Sequence, residues 1–175
     1  LSADKTAWLK DATASYNSNC NTTYVPDDAF EAFLELNGMG DGIDNNNFVS
    51  TDKISSVTVL DINTKGIADL TGIEDFSSLQ DLNCATNSLI YLDLSSNTDL
   101  TTLNCATNQI NSLNISGNTA LITIDCSANL LTDLDFGSNP NLTSLNCNNN
   151  LLNSLNLKNG QNGILNVFDT TSNPD

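Results

Sequence analysis

From Leu79 onward the sequence repeats every 21 residues, and a fixed period of this length marks a chain that stacks copies of one supersecondary unit. Units open at Leu79, Leu100, Leu121 and Leu142 and share the template L-x-x-L-x-C-x-x-N-x-L-x-x-L-x-L-x-x-N. The first half of the template reads Leu82/Cys84/Asn87, Leu103/Cys105/Asn108, Ile124/Cys126/Asn129 and Leu145/Cys147/Asn150. A second half follows each: Leu92/Leu94/Asn97, Leu113/Ile115/Asn118, Leu134/Phe136/Asn139, then Leu155/Leu157 with Gly160 where an asparagine is expected. Upstream, Val57, Leu60, Ile62, Ile67 and Leu70 fit the same frame displaced by 22 residues, with Lys65 in the asparagine position, which makes a divergent first repeat. Downstream, Ile164, Leu165, Val167 and Phe168 supply one more strand, but Gly160 and Gly163 break the register.

In L-x-L or L-x-C the alternate residues point to one side of a strand, so the apolar pair faces inward and the residue between faces solvent. Each unit therefore holds two short extended segments. The asparagine suits the turn that closes the coil, because its amide bonds local backbone groups and it tolerates unusual dihedrals. Repeated once per turn, it becomes a stacked internal ladder.

These units resemble leucine-rich repeats, in a short bacterial form that nests two motifs of ten or eleven residues in one 21-residue unit, over about residues 57–173. Residues 24–34 and 69–74 are similar to the N-terminal region of secreted leucine-rich-repeat proteins of Bacteroidetes-type bacteria, where that region acts as a cap. The expected fold is an α/β solenoid, mostly β: a right-handed leucine-rich-repeat coil of about five turns with short parallel strands and an N-terminal helical cap. The expected division is a helical cap region over residues 1–53 and a solenoid over residues 54–175 with an irregular last turn.

Within the cap, residues 26–37 read as a helix. Asp28 and Glu31 suggest a capping box, Phe30, Phe33 and Leu34 an apolar stripe, and Asn37-Gly38 a stop. A second helix is expected over residues 2–16, with Trp8 on its apolar side. The acidic, glycine-rich loop 38–47 invites a calcium reading, but counting from Asp44 puts Val49 where the glycine of a calcium loop belongs and Ser55 where its glutamate belongs. A plain solvated turn is the expectation, and no metal ligands are assigned.

Cys84, Cys105, Cys126 and Cys147 recur at the repeat period and so stack on the inner side of neighbouring strands, about 4.8 Å apart. Neither C-x-x-C pairs nor histidines accompany them, and stacked parallel side chains rarely reach disulfide torsions, so they read as small core hydrophobes. Cys20 stands outside the repeats.

The sequence contains no histidine, removing the commonest general base, and the pairs Asp27-Asp28 and Glu74-Asp75 fit a helix start and a solvated turn. No enzyme activity and no cofactor are expected; a glycosidase built on carboxylates is the one catalytic alternative. A net charge of -16 with only five basic residues argues against nucleic acid and anionic membranes as partners. There is no apolar run long enough to span a bilayer and no signal-peptide layout at the start, as in a mature, secreted or cell-surface fragment.

The outward positions form two polar rows: Asn83, Asn104, Asp125 and Asn146 in the first strand set, Asp93, Asn114, Asp135 and Asn156 in the second. These eight are the candidate binding residues, flanked by Asp81, Thr102, Thr123 and Ser144 and by Tyr91, Ser112, Asp133 and Ser154. The expected function is non-catalytic recognition or adhesion by a monomer, with a protein or polysaccharide as ligand. A passive spacer is an alternative. So is binding to ice or another crystalline surface, for which only Thr102 and Thr123 form a successive threonine pair.

Overall fold

The computed structural model describes residues 21–160 and 167–174; the expected helix over residues 2–16, Cys20, Ile164 and Leu165 lie outside them. The cap mixes strand and helix, more than the purely helical cap expected from sequence. Strand β1 (Thr22–Tyr24) pairs antiparallel with β2 (Phe48–Ser50) and brackets helix α1 (Asp28–Leu36), while a single helical turn, α2 (Thr51–Ile54), leads into the repeats. The N-cap of α1 is Asp27 rather than a box of Asp28 and Glu31: its Oδ1 accepts the N–H groups of Ala29 at 3.0 Å and Phe30 at 2.9 Å. Glu31 is buried and turns away from the helix start, accepting the Asn46 N–H at 2.9 Å through Oε1.

Asp27 also holds the cap to the coil, because its Oδ2 accepts the N–H groups of Ala68 at 2.8 Å and Asp69 at 3.1 Å in the first repeat. Nearby, the Lys65 ammonium lies 5.6 Å from the centre of the Phe33 ring, and Phe30 stacks on Phe76 with centroids 6.2 Å apart.

The repeats coil as the alternation demands. Strands β3 (Val59–Asp61), β4 (Asp81–Asn83), β6 (Thr102–Asn104), β8 (Thr123–Asp125), β10 (Ser144–Asn146) and β12 (Val167–Asp169) form one parallel six-stranded sheet. Its register aligns Leu60, Leu82, Leu103, Ile124, Leu145 and Phe168 at the central strand position, the first five buried and Phe168 half exposed on the last strand. The offset of 22 residues between β3 and β4 is the one expected for the divergent first repeat. The second half-motifs give β5 (Tyr91–Asp93), β7 (Ser112–Asn114), β9 (Asp133–Asp135) and β11 (Ser154–Asn156), which pair only as β5 with β7 and β9 with β11. The two halves of the template are thus unequal: one builds a continuous sheet, the other two separate pairs. One cluster of buried apolar residues runs from Val25 through the coil to Leu152.

The asparagine ladder has the expected construction. Each Nδ2 donates to the carbonyl of its own turn and of the turn before, as when Asn108 bonds Cys105 O and Cys84 O, both at 3.1 Å, and Asn129 bonds Cys126 O and Cys105 O at 3.1 and 3.0 Å. Each Oδ1 accepts an N–H from the preceding turn, Leu89 for Asn108 and Ile110 for Asn129. Bonding the peptide groups that the turn would otherwise bury unpaired offsets a cost of about 1–3 kcal/mol each. The irregular last turn keeps this device at Asn173, which donates to Cys147 O at 3.0 Å and accepts from Leu152 N at 3.1 Å.

The second ladder, Asn97, Asn118 and Asn139, also ties successive turns through Nδ2, with Asn118 bonding Leu94 O at 2.9 Å and Asn97 O at 2.7 Å. Gly160 is not its last rung. Asn159 takes the place one residue early, donating to Asn139 O at 2.9 Å, while Gly160 adopts a left-handed φ of 81°, which glycine reaches without steric cost.

Candidate functional site

The outer face of the six-stranded sheet is built by the first and third residues of each strand. Successive turns present Val59 and Asp61, Asp81 and Asn83, Thr102 and Asn104, Thr123 and Asp125, Ser144 and Asn146. Every polar side chain in this set is short, so the surface is low and regular, and no strand of the sheet carries a lysine or arginine. A shallow groove of about 220 Å³ crosses it between β3, β4 and β6, lined by Val59, Asp61, Asp81, Asn83, Thr102 and Asn104.

All eight sequence-derived candidates sit at the third position of a strand, and each spends an oxygen on the backbone. Asn83, Asn104, Asp125 and Asn146 accept, through Oδ1, the N–H two residues on: Ala85, Ala106, Ser127 and Asn148, at 3.3, 3.1, 3.0 and 3.3 Å. Asp93, Asn114, Asp135 and Asn156 do the same for Ser95, Ser116, Gly137 and Lys158, at 2.9, 3.2, 2.7 and 3.0 Å. These are Asx turns, which end each strand and start the bend that keeps the coil closed. The row common to the repeats therefore has a folding role whatever it binds. The first four share the continuous sheet; the second four are divided between the two strand pairs and do not form one surface.

Neither row places two carboxylates on adjacent turns. The sheet reads Asp61, Asn83, Asn104, Asp125, Asn146, Asp169 and the other side Asp93, Asn114, Asp135, Asn156. At a spacing of about 4.8 Å neighbouring carboxylates would repel, whereas an intervening amide donates. Asn146 Nδ2 reaches Asp125 Oδ2 at 3.1 Å and Asn156 Nδ2 reaches Asp135 Oδ1 at 2.8 Å. Hydrogen bonds from Ser95 and Tyr91 hold the Asp93 carboxyl below its ordinary pKa, and those from Asn148 and Thr171 do the same for Asp169.

The positions that carry no turn-closing bond, Asp81, Thr102, Thr123 and Ser144, are the ones with side chains to spare for a ligand. Sequence reasoning ranked them as flanking residues, since spacing alone does not reveal which oxygens the backbone consumes.

The four repeat cysteines are free thiols with fully buried side chains. Burial pushes the Cys84 thiol up to about 12 and the Cys147 thiol to about 11, and raises Cys105 and Cys126 as well; Cys147 shifts less because a single turn follows it. They fill the core as the sequence implied.

In the loop over residues 38–47 the acidic groups fold onto the loop's own backbone. Glu35 accepts the N–H groups of Asp41 and Gly42, and Asp41 accepts from Ile43 N and Asn46 Nδ2. Gly40 lets this happen, because a Cβ there would stand 1.9 Å from the Glu35 carboxyl carbon. Among the described residues, no group of three or more His, Cys, Asp or Glu side chains is placed to hold a metal ion. No helix among them is long and apolar enough to cross a membrane.

No protein-family model matches the chain. It is similar to internalin J of Listeria monocytogenes serotype 4b (strain F2365), with 34% identity over 94 residues, 54% of this chain and 9% of that protein. Among solved structures, the functional domain of InlJ from Listeria monocytogenes, described as including a cysteine ladder, superposes with a TM-score of 0.53 at 26% identity. That match covers 87% of this chain and 43% of the other. A crystal structure of another internalin, inlF, from Listeria monocytogenes strain 4b F2365 gives a TM-score of 0.49 at 19% identity over 74% of this chain and 45% of the other. The chain thus spans under half the length of each of these proteins. With its parallel strands about 21 residues apart and its helix-and-strand cap, the fold is an internalin-like leucine-rich-repeat solenoid.

Proposed function

We propose that this chain is the recognition part of a secreted or surface-attached bacterial protein, of the Bacteroidetes-type nested-repeat kind, and that it binds a protein ligand on the outer face of its six-stranded sheet without catalysis. The observation that carries the reading is the contrast between the two sides of the coil. One template half makes six strands in unbroken register with short polar side chains on the outer face; the other makes two detached pairs. A continuous, low surface whose turns are held by core ladders stays pre-organised, and pre-organisation lowers the ordering cost of association. The similarity to internalin J supports a binding role over a catalytic one, by analogy of fold.

The test is a screen of the purified chain on an array of extracellular proteins and a glycan array, beside two variants. T102R/T123R changes the middle of the sheet at positions free of turn-closing bonds; S112R/S154R changes the other side at the equivalent positions. Selective protein binding lost only in T102R/T123R supports the reading. Glycan binding lost in that variant moves the ligand to a polysaccharide. Protein binding that survives T102R/T123R overturns the assignment of the face, and absence of binding throughout favours the spacer.

A further inference from the structure

The carboxylates of the sheet are not equally engaged. Asp125 accepts from Ser127 with Oδ1 and from Asn146 Nδ2 with Oδ2. Asp169 accepts from Thr171 N at 2.9 Å with Oδ1 and from Asn148 Nδ2 at 2.9 Å with Oδ2. Both oxygens of each are thus answered by donors. The other two differ. Asp61 closes its turn on Asn63 through Oδ1 alone, and Asp81 has only a long 3.4 Å contact from the Thr101 hydroxyl. These two carboxylates, which have fewer protein donors than Asp125 and Asp169 and keep oxygens open to solvent, line the same groove, beside Val59, an apolar side chain that is 61% exposed.

Charge, shape and apolar contact therefore coincide at one place on an otherwise balanced face. Asp61 lies opposite Asn83 and Asp81 opposite Val59, so the two acids are diagonal neighbours across β3 and β4, with Cα atoms roughly 8 Å apart. A planar guanidinium donates from two edges and fits between carboxylates at that separation, whereas an ammonium is a point charge that holds its water more tightly. The cations of the described chain do not fill the groove: Lys53 donates to Gly40 O at 2.7 Å, Lys65 lies over Phe33, and Lys158 follows β11 on the other side of the coil.

We infer that the groove between Asp61 and Asp81 receives an arginine side chain of a protein partner, its methylene stem lying on Val59 and its guanidinium bridging the two carboxylates. This rests on the reading that the sheet is the recognition face and specifies what that face selects.

The test uses the full chain, labelled with 15N, titrated with the blocked peptide acetyl-Gly-Arg-Gly-amide and with the same peptide carrying lysine or citrulline, the neutral isostere of arginine. The arginine peptide should give saturable amide shifts confined to residues 59–61, 81–83 and 102–104. Lysine should bind more weakly and citrulline should leave those amides unmoved. Asp81→Asn removes charge from a residue that closes no turn and should weaken the arginine peptide about fivefold, the size of one exposed ion pair. Asp133→Asn, on the other side of the coil, should change nothing. Shifts spread without saturation over all acidic positions, equal binding of citrulline, or indifference to Asp81→Asn would overturn the assignment. The peptide reports the groove directly. If it binds there while T102R/T123R leaves protein binding intact, the face assignment fails and the groove stands; if T102R/T123R abolishes protein binding and the peptide ignores the groove, the reverse holds.

Discussion

Asp27 offers the sharpest test of how the cap is joined to the coil. Its two oxygens serve different masters: Oδ1 caps α1 at Ala29 and Phe30, and Oδ2 holds Ala68 and Asp69 of the first repeat. In Asp27→Asn one oxygen remains, and the amide nitrogen that replaces the other meets two N–H donors where an acceptor is needed. Hydrogen bonds to charged groups contribute about 1.5–3 kcal/mol each, but Ala68 and Asp69 are exposed and water answers part of the loss, so about 1 kcal/mol per bond is the reasonable figure. Asp27→Asn should therefore cost about 2 kcal/mol and Asp27→Ala about 3 kcal/mol, the difference being one helix cap. Urea unfolding followed by far-ultraviolet circular dichroism measures both, and hydrogen exchange locates the damage. In Asp27→Asn the amides of Ala68 and Asp69 should lose protection while those of Ala29 and Phe30 keep it. If the amide instead rotates to serve the repeat, the cost is similar and the exchange pattern inverts. Asp27→Asn as stable as the parent, or as damaging as Asp27→Ala, would refute the double clamp.

The buried thiols make stability depend on alkali. A thiol whose pKa rises on folding keeps its proton where the unfolded chain has lost its own, so the stabilisation is complete below about pH 9 and is lost as pH climbs toward the folded value; for Cys84, at about 12, the loss approaches about 4 kcal/mol. Comparing unfolding free energies at pH 8 and pH 10.5 for the parent and Cys84→Ala should show the steeper fall in the parent, and equal slopes would contradict it. Iodoacetamide at pH 8 should reach Cys147 before Cys84, since the smaller shift leaves more thiolate; mass spectrometry of the digest reads the order. Thr107 is exposed and held at a φ of 58°, where a β-branched residue is strained, while Asn149 occupies the same turn position two repeats on at 53°. Thr107→Asn should raise stability by about 1 kcal/mol and Asn149→Thr should lower it by a similar amount; a null result for both in thermal melts would show that the ladder bonds, not the dihedral, dominate the turn.

Much of this protein was legible in the linear pattern because a solenoid's long-range contacts are copies of its short-range ones. The 21-residue spacing places Leu82 beside Leu103 and Asn108 beside Asn129 wherever the coil closes, so strand positions, the inward rows, the buried cysteines and the first asparagine ladder follow from periodicity alone. What periodicity does not carry is anything that breaks it. The N-cap at Asp27 in place of a box at Asp28, the antiparallel pairing of β1 with β2, and the shift of the last rung from Gly160 to Asn159 depend on contacts between segments with no common frame. The candidate surface divides along the same line. Sequence identified two outward polar rows but treated them alike, because each obeys the same alternation. Only the folded chain shows that one row lies on six continuous strands and the other on separate pairs, that the row residues spend their first oxygen on their own backbone, and that the sheet carboxylates with the fewest protein donors are Asp61 and Asp81. Spacing decides which way a side chain points; which of its atoms are already bonded is decided by neighbours that tertiary structure supplies.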